Sequence, residues 1–132
     1  MDQELLVEEL DAGVKFLSEF DKYAPVKIAF WSQKDTDAPW YLYVASEKIA
    51  DVNRPDAYGE VSRIVRMLQD PHLDQFRVKL IGADDPMARE VFDRQSRFPA
   101  YRLPTHYKGF ELAHLGIKEA YIYPLRIAVP VP

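Results

Sequence analysis

Residues 26–46 read VKIAFWSQKDTDAPWYLYVAS, two runs of alternating, β-favouring residues joined by a polar loop that ends in proline. Val26, Ile28 and Phe30 alternate with Lys27, Ala29 and Trp31, and Trp40, Leu42 and Val44 alternate with Tyr41, Tyr43 and Ala45. That is the period of two of a half-buried strand. Residues 34–39 are loop-forming, and Pro39 cannot donate to a ladder. The stretch therefore predicts a hairpin. Pairing Phe30 with Leu42 collects Val26, Ile28, Phe30, Trp40, Leu42 and Val44 on one face, with Lys27, Ala29, Trp31, Tyr41 and Tyr43 on the other. A slip of one residue mixes the two sets, so Phe30 opposite Leu42 is the expected register.

The second of these faces has two readings. Aromatic residues on strands most often pack beneath helices or a sister subunit. The functional alternative is a binding platform of Trp31, Tyr41, Tyr43 and Lys27, to which a later strand adds Arg77 and Lys79.

The rest of the chain bounds the fold class. Its 132 residues, 48% hydrophobic and 29% charged, fit one soluble globular domain spanning 1–132. There is no cysteine, which excludes disulfides, thiolate metal sites and cysteine nucleophiles and fits a cytoplasmic location. The acidic start MDQELLVEELD lacks the order of a signal peptide, and no apolar run approaches a membrane span. Net charge is −4, unevenly spread. Residues 1–51 carry eleven acids against five lysines, whereas residues 54–108 carry ten bases, eight of them arginine, against eight acids.

Leu6, Leu10, Val14, Leu17 and Phe20 form a stripe that predicts a helix over 3–21, with Gly13 marking close packing. Pro55 opens a second helix over 55–69, with Tyr58, Val61, Ile64, Val65 and Leu68 as its apolar side. Residues 76–82 alternate as a strand, Phe76, Val78 and Leu80 facing one way and Arg77, Lys79 and Ile81 the other. Asp85 is the expected N-cap of a third helix that begins at Pro86 and buries Met87, Val91 and Phe98. Along its outer side Arg89 and Asp93, Glu90 and Arg94, and Asp93 and Arg97 stand four apart, as an ion-paired solvent face would. Residues 100–103 and 110–112 are expected as short strands, 120–123 as the last clear one, and 125–132 as an extended, proline-ended tail. The order α-β-β-α-β-α-β-β predicts an α+β fold, with an antiparallel or mixed sheet of four to six strands and three helices mainly on one face.

No motif in the sequence specifies a reaction, and no cofactor is expected. The weak catalytic candidates are Asp84 and Asp85 at the end of a strand, joined by His106; the simpler explanation of Asp85 followed by proline is a helix cap. His106 and His114 lie eight apart across a suspected turn, and no metal-ligand spacing is present. The leading expectation is a non-catalytic protein-interaction or accessory protein whose partner is protein, foremost itself as a homodimer burying the Trp31, Tyr41 and Tyr43 face. The alternatives are a small metal-dependent or acid/base enzyme built on Asp84, Asp85 and His106, and a single-stranded nucleic-acid binder on the aromatic face. The acidic pI of about 5.4 counts against the last, and no membrane partner is expected.

Overall fold

The computed structural model describes residues 4–97, 104–108 and 114–125. Helix α1 (Val7–Tyr23) leads into the hairpin of β1 (Ile28–Gln33) and β2 (Tyr41–Ser46). Helix α2 (Arg54–Leu68), a 3-10 turn (Gln75–Arg77) and β3 (Val78–Gly82) follow, then α3 (Pro86–Arg97), β4 (Thr105–Lys108) and β5 (Glu119–Ile122). The fold is α+β, with three helices on one mixed sheet of five strands ordered β3-β2-β1-β5-β4. β3 runs parallel to β2 because α2 carries the chain back between them, and the remaining pairs are antiparallel.

β1 is the central strand, and every residue in it is buried. Its alternate sides feed two cores. Ala29 and Trp31 join Leu42, Val44, Val78 and Leu80 beneath α1 and α2, whereas Ile28, Phe30, Ala45, Ala120 and Ile122 pack beneath α3. The hairpin register accordingly differs by one residue from the expectation: Phe30 pairs with Tyr43, and Trp31 with Leu42. The rule that one face should be cleanly apolar applies to a sheet solvated on one side. With helices on both faces both sets are buried, and parity no longer selects the register. The loop takes part in setting it, since the Gln33 side-chain amide donates to the carbonyls of Ala38 at 2.9 Å and Thr36 at 3.4 Å.

α1 is anchored where three elements meet. The Trp31 indole N–H donates to the Tyr123 hydroxyl at 2.9 Å, and that hydroxyl donates to the Leu10 carbonyl at 2.7 Å. Gly13 is required there, since a Cβ at this position would stand far inside contact distance of the Tyr123 hydroxyl and 3.2 Å from the indole nitrogen. Burial raises the Tyr123 pKa, so the phenol stays protonated and able to donate.

Phe76 departs from its expected inward place and is 77% exposed. The Asp74 carboxylate accepts from the Phe76 N–H at 2.9 Å and starts the 3-10 turn, so the strand begins two residues later than the alternation implies. Strand β4 occupies residues 105–108, between the two strands expected from the sequence; those two, Phe98 and residues 126–132 lie outside the described residues. No helix among the described residues is long and apolar enough to cross a membrane.

Candidate functional site: the crevice at the carboxyl ends of β2 and β3

The adjacent ends of the parallel pair, Ser46 on β2 and Gly82 on β3, release the chain toward opposite faces of the sheet. After β2 it turns into α2, whose Ala57, Val61 and Ile64 pack in one core; after β3 it turns into α3, whose Ala88 and Val91 pack in the other. Where successive connections diverge in this way a crevice opens beyond the strand ends, and ligands of parallel sheets commonly bind there. Here it is a cavity of about 850 Å³.

Short-range bonds hold its walls. Ala83 N–H and Ile49 N–H both donate to the Ser46 carbonyl at 3.2 Å, tying the two loops to one strand end. A Cβ at Gly82 would lie 2.8 Å from Asp84 Oδ1 and 3.4 Å from the Ile49 carbonyl oxygen, so the loops meet at a residue without a side chain. Asn53 directs its carboxamide to Ala50 N–H and the Lys48 carbonyl, bracing the first loop and leaving the α2 N-terminus without a side-chain cap. Asp85 caps α3 by accepting from Met87 N–H at 2.8 Å.

Charged side chains of both signs line the crevice. Lys27 pairs with Glu47 at 3.2 Å and stands 4.8 Å over the Phe92 ring, and Arg54 pairs with Asp51 at 2.6 Å. Asp84 and Arg89 are exposed. The expected Arg89–Asp93 pair is absent, because Asp93 is taken by Arg97 at 2.9 Å. Among the described residues Arg89 is thus the crevice cation without an ion pair. A second, largely apolar cavity of about 360 Å³ adjoins the first, sharing Lys27 and Glu47 and lined also by Pro25, Val26, Lys48 and Phe92.

The structure redistributes the other residues singled out from the sequence. Asp84 and Asp85 follow the edge strand β3, whereas His106 sits on β4, the opposite edge of the sheet. The three do not assemble into one site. His106 Nε2 instead lies 2.7 Å from Glu119 Oε2, and its ring stacks on Tyr121 with centroids 4.2 Å apart. Burial, with the charges of Glu119 and Glu4, pushes the Tyr121 phenol up. His114 pairs with Glu90 at 3.5 Å, so the two histidines have separate partners. Among the described residues no group of three or more metal-ligating side chains is placed to hold an ion.

The expected aromatic platform is divided between the two faces. Trp31 is 2% exposed beneath α1. Tyr43 lies on the α3 side, stacked on Phe30 with centroids 5.3 Å apart, and burial pushes its hydroxyl pKa up. Lys79, opposite Tyr43, stands 4.9 Å over the Tyr41 ring. Arg77 pairs with Glu9 of α1 at 3.3 Å, and Lys27 belongs to the crevice. The one-residue register shift is the cause, since it carries Trp31 away from the two tyrosines.

Sequence reasoning missed Arg54 and Arg89 as crevice residues. The available signal was the order strand, helix, strand between residues 41 and 82 with a proline opening each following helix, which marks a parallel crossover and its crevice. No protein-family model, curated protein or solved structure matches the chain.

Proposed function

We propose that the protein is a non-catalytic accessory domain that binds a polypeptide segment of a partner in the crevice beyond β2 and β3. The observation that carries this is how the lining charges are spent. Lys27, Glu47, Arg54 and Asp51 are engaged with one another, and Asp85 caps α3, which leaves Arg89 and Asp84 turned to a partner. Committed charges make a shaped, wet recognition surface more readily than an acid/base pair for turnover.

Charge also selects the class of partner. Glu47, Asp51, Asp84 and Asp85 outnumber Lys27, Arg54 and Arg89 around the crevice, and the whole chain carries −4. A polyanion such as nucleic acid is repelled by that balance, whereas a peptide offers both signs and backbone hydrogen bonds. The aromatic surface that motivated a homodimer is divided between two sheet faces, so the crevice takes its place as the surface assigned to a protein partner. The cysteine-free composition fits binding in the cytoplasm.

Selection of a displayed random-peptide library on the immobilised full-length protein tests this. Selected peptides should shift the backbone amide resonances of residues 47–54 and 82–89 and should lose binding to Arg89→Glu. Failure to enrich any peptide, or shifts confined to another surface, would refute it.

A further inference from the structure

The crevice and the smaller apolar cavity adjoin at the Lys27–Glu47 pair, which lines both and divides them. On one side of the divider stands Arg89, exposed and without an ion pair among the described residues; on the other the half-buried Phe92 ring and Val26, with Pro25 exposed beside them. From this juxtaposition we infer the recognition motif of the partner: an acidic residue that pairs with Arg89, and a large aliphatic or aromatic residue close by in sequence that enters the Phe92 cavity. The inference rests on the polypeptide-binding reading above and states what the segment must contain.

Each half follows from a separate feature. A guanidinium donates two parallel hydrogen bonds to a carboxylate and is better matched by it than by a carbonyl. Arg89 is the crevice cation whose pairing would require no internal ion pair to break. The apolar compartment, at about 360 Å³, exceeds the volume of any one side chain. A leucine or phenylalanine there is bounded by Phe92 and Val26 and covered at the rim by the methylenes of Lys48. Because the compartments adjoin, and an extended segment advances about 3.3 Å per residue, the two anchors fall within a few residues of each other. Lys27, held over the Phe92 ring at 4.8 Å and paired to Glu47, stands between them. There it meets the backbone carbonyls of the segment rather than its acidic side chain.

The same library selection supplies the test. Enriched sequences should share an acidic residue within a few positions of a leucine, isoleucine or phenylalanine. A synthetic blocked peptide of that consensus should lose about tenfold in affinity when its acid becomes the amide, and about tenfold or more when its apolar residue becomes alanine. Its binding should shift the amide resonances of Val26, Lys48 and Phe92 together with that of Arg89, and Arg89→Ala should abolish the difference between the acid and amide peptides. Peptides that map to the crevice but lack this pair, or tolerate both replacements, would overturn the motif and leave the binding reading intact. Absence of any crevice-binding peptide would overturn both.

Discussion

The two faces of the sheet are held by different means. Beneath α1 and α2 the packing is directional: indole N–H, phenol and helix carbonyl form one chain through Trp31, Tyr123 and Leu10, and Gly13 gives it room. Beneath α3 the contacts are mainly dispersive, with Phe30 stacked on Tyr43 and Ile28, Ala120 and Ile122 filled in by Ala88 and Val91. The buried Gln95 amide adds polar contacts there, donating to the Tyr123 carbonyl at 3.1 Å and the Ile122 carbonyl at 3.5 Å. A face held by directional bonds fixes the register and the helix position; a face held by dispersion needs only volume.

The largest expected effect treats the faces alike. Trp31→Ala and Phe30→Ala should each cost about 3–5 kcal/mol in denaturant unfolding, because both side chains are buried in well-packed surroundings. An exposed aromatic platform would have made Trp31→Ala nearly neutral. A small loss at Trp31 with a large one at Phe30 would mean that α1 does not cover its face in solution.

Gly13→Ala separates the faces. Alanine favours a helix over glycine by about 1 kcal/mol, but here its Cβ collides with the Tyr123 hydroxyl. Overpacking of this kind costs about 1–3 kcal/mol and should outweigh the propensity gain. Tyr123→Phe removes the colliding hydroxyl, at the expense of leaving the indole N–H without its buried partner. In that background Gly13→Ala should cost less than in the parent, the ring Cζ at 3.1 Å and the indole nitrogen at 3.2 Å still crowding its Cβ. A thermodynamic cycle measures the coupling, and additive effects would place the collision elsewhere.

Much of this was legible in the sequence, for identifiable reasons. The element order and the close packing at Gly13 follow from local periodicity and one anomalous glycine, but the buried stripe of α1 runs through Ala12, Phe16, Leu17 and Phe20 and leaves the expected Leu6 exposed. The Glu90–Arg94 and Asp93–Arg97 pairs follow from helix spacing and form as expected, whereas Arg89 and Asp93 do not pair. Register did not follow, because β1 is apolar on both sides and offers no polar face to orient it. Phe76 misled because an aspartate two residues before it bends the backbone more strongly than its side chain favours burial. The crevice was half legible: Asp84 and Asp85 were singled out, but their neighbours across it come from the β2–α2 loop, and only the parallel pairing joins the two. His106 could not be placed, since its partner Glu119 lies on another strand.

Asp85 gives a smaller effect, on the α3 side. Asp85→Ala should cost about 1 kcal/mol through loss of the bond to Met87 N–H, while Asp85→Asn should be tolerated because the carboxamide oxygen still accepts. Chemical denaturation distinguishes them. If asparagine proved as costly as alanine, the charge of Asp85 in the crevice would matter beyond capping.

The smallest effect concerns how α1 is tied to the far end of α2, beyond the directional core. Asp70, just past α2, accepts from the His72 backbone N–H at 2.9 Å and from Lys15 of α1 at 3.2 Å. The hydrogen bond from His72 N–H, followed by Lys15, lowers its pKa below the ordinary carboxylate range. A carboxyl that is more acidic folded than unfolded adds stability above its unfolded pKa, and that increment is lost as pH falls through the folded value. Lys15 is largely exposed, so the increment is modest and weakened by salt. Asp70→Asn keeps an oxygen for the His72 N–H but removes the charge. The variant should therefore be less stable than the parent near neutrality, and the gap should narrow as pH falls below about 4, the ordinary aspartate pKa, and vanish below the lowered folded value. Unfolding curves for both proteins across that range provide the check. A gap that stayed constant with pH would assign the contribution of Asp70 to its turn-forming bond alone and would leave the Lys15 contact without energetic weight in joining α1 to α2.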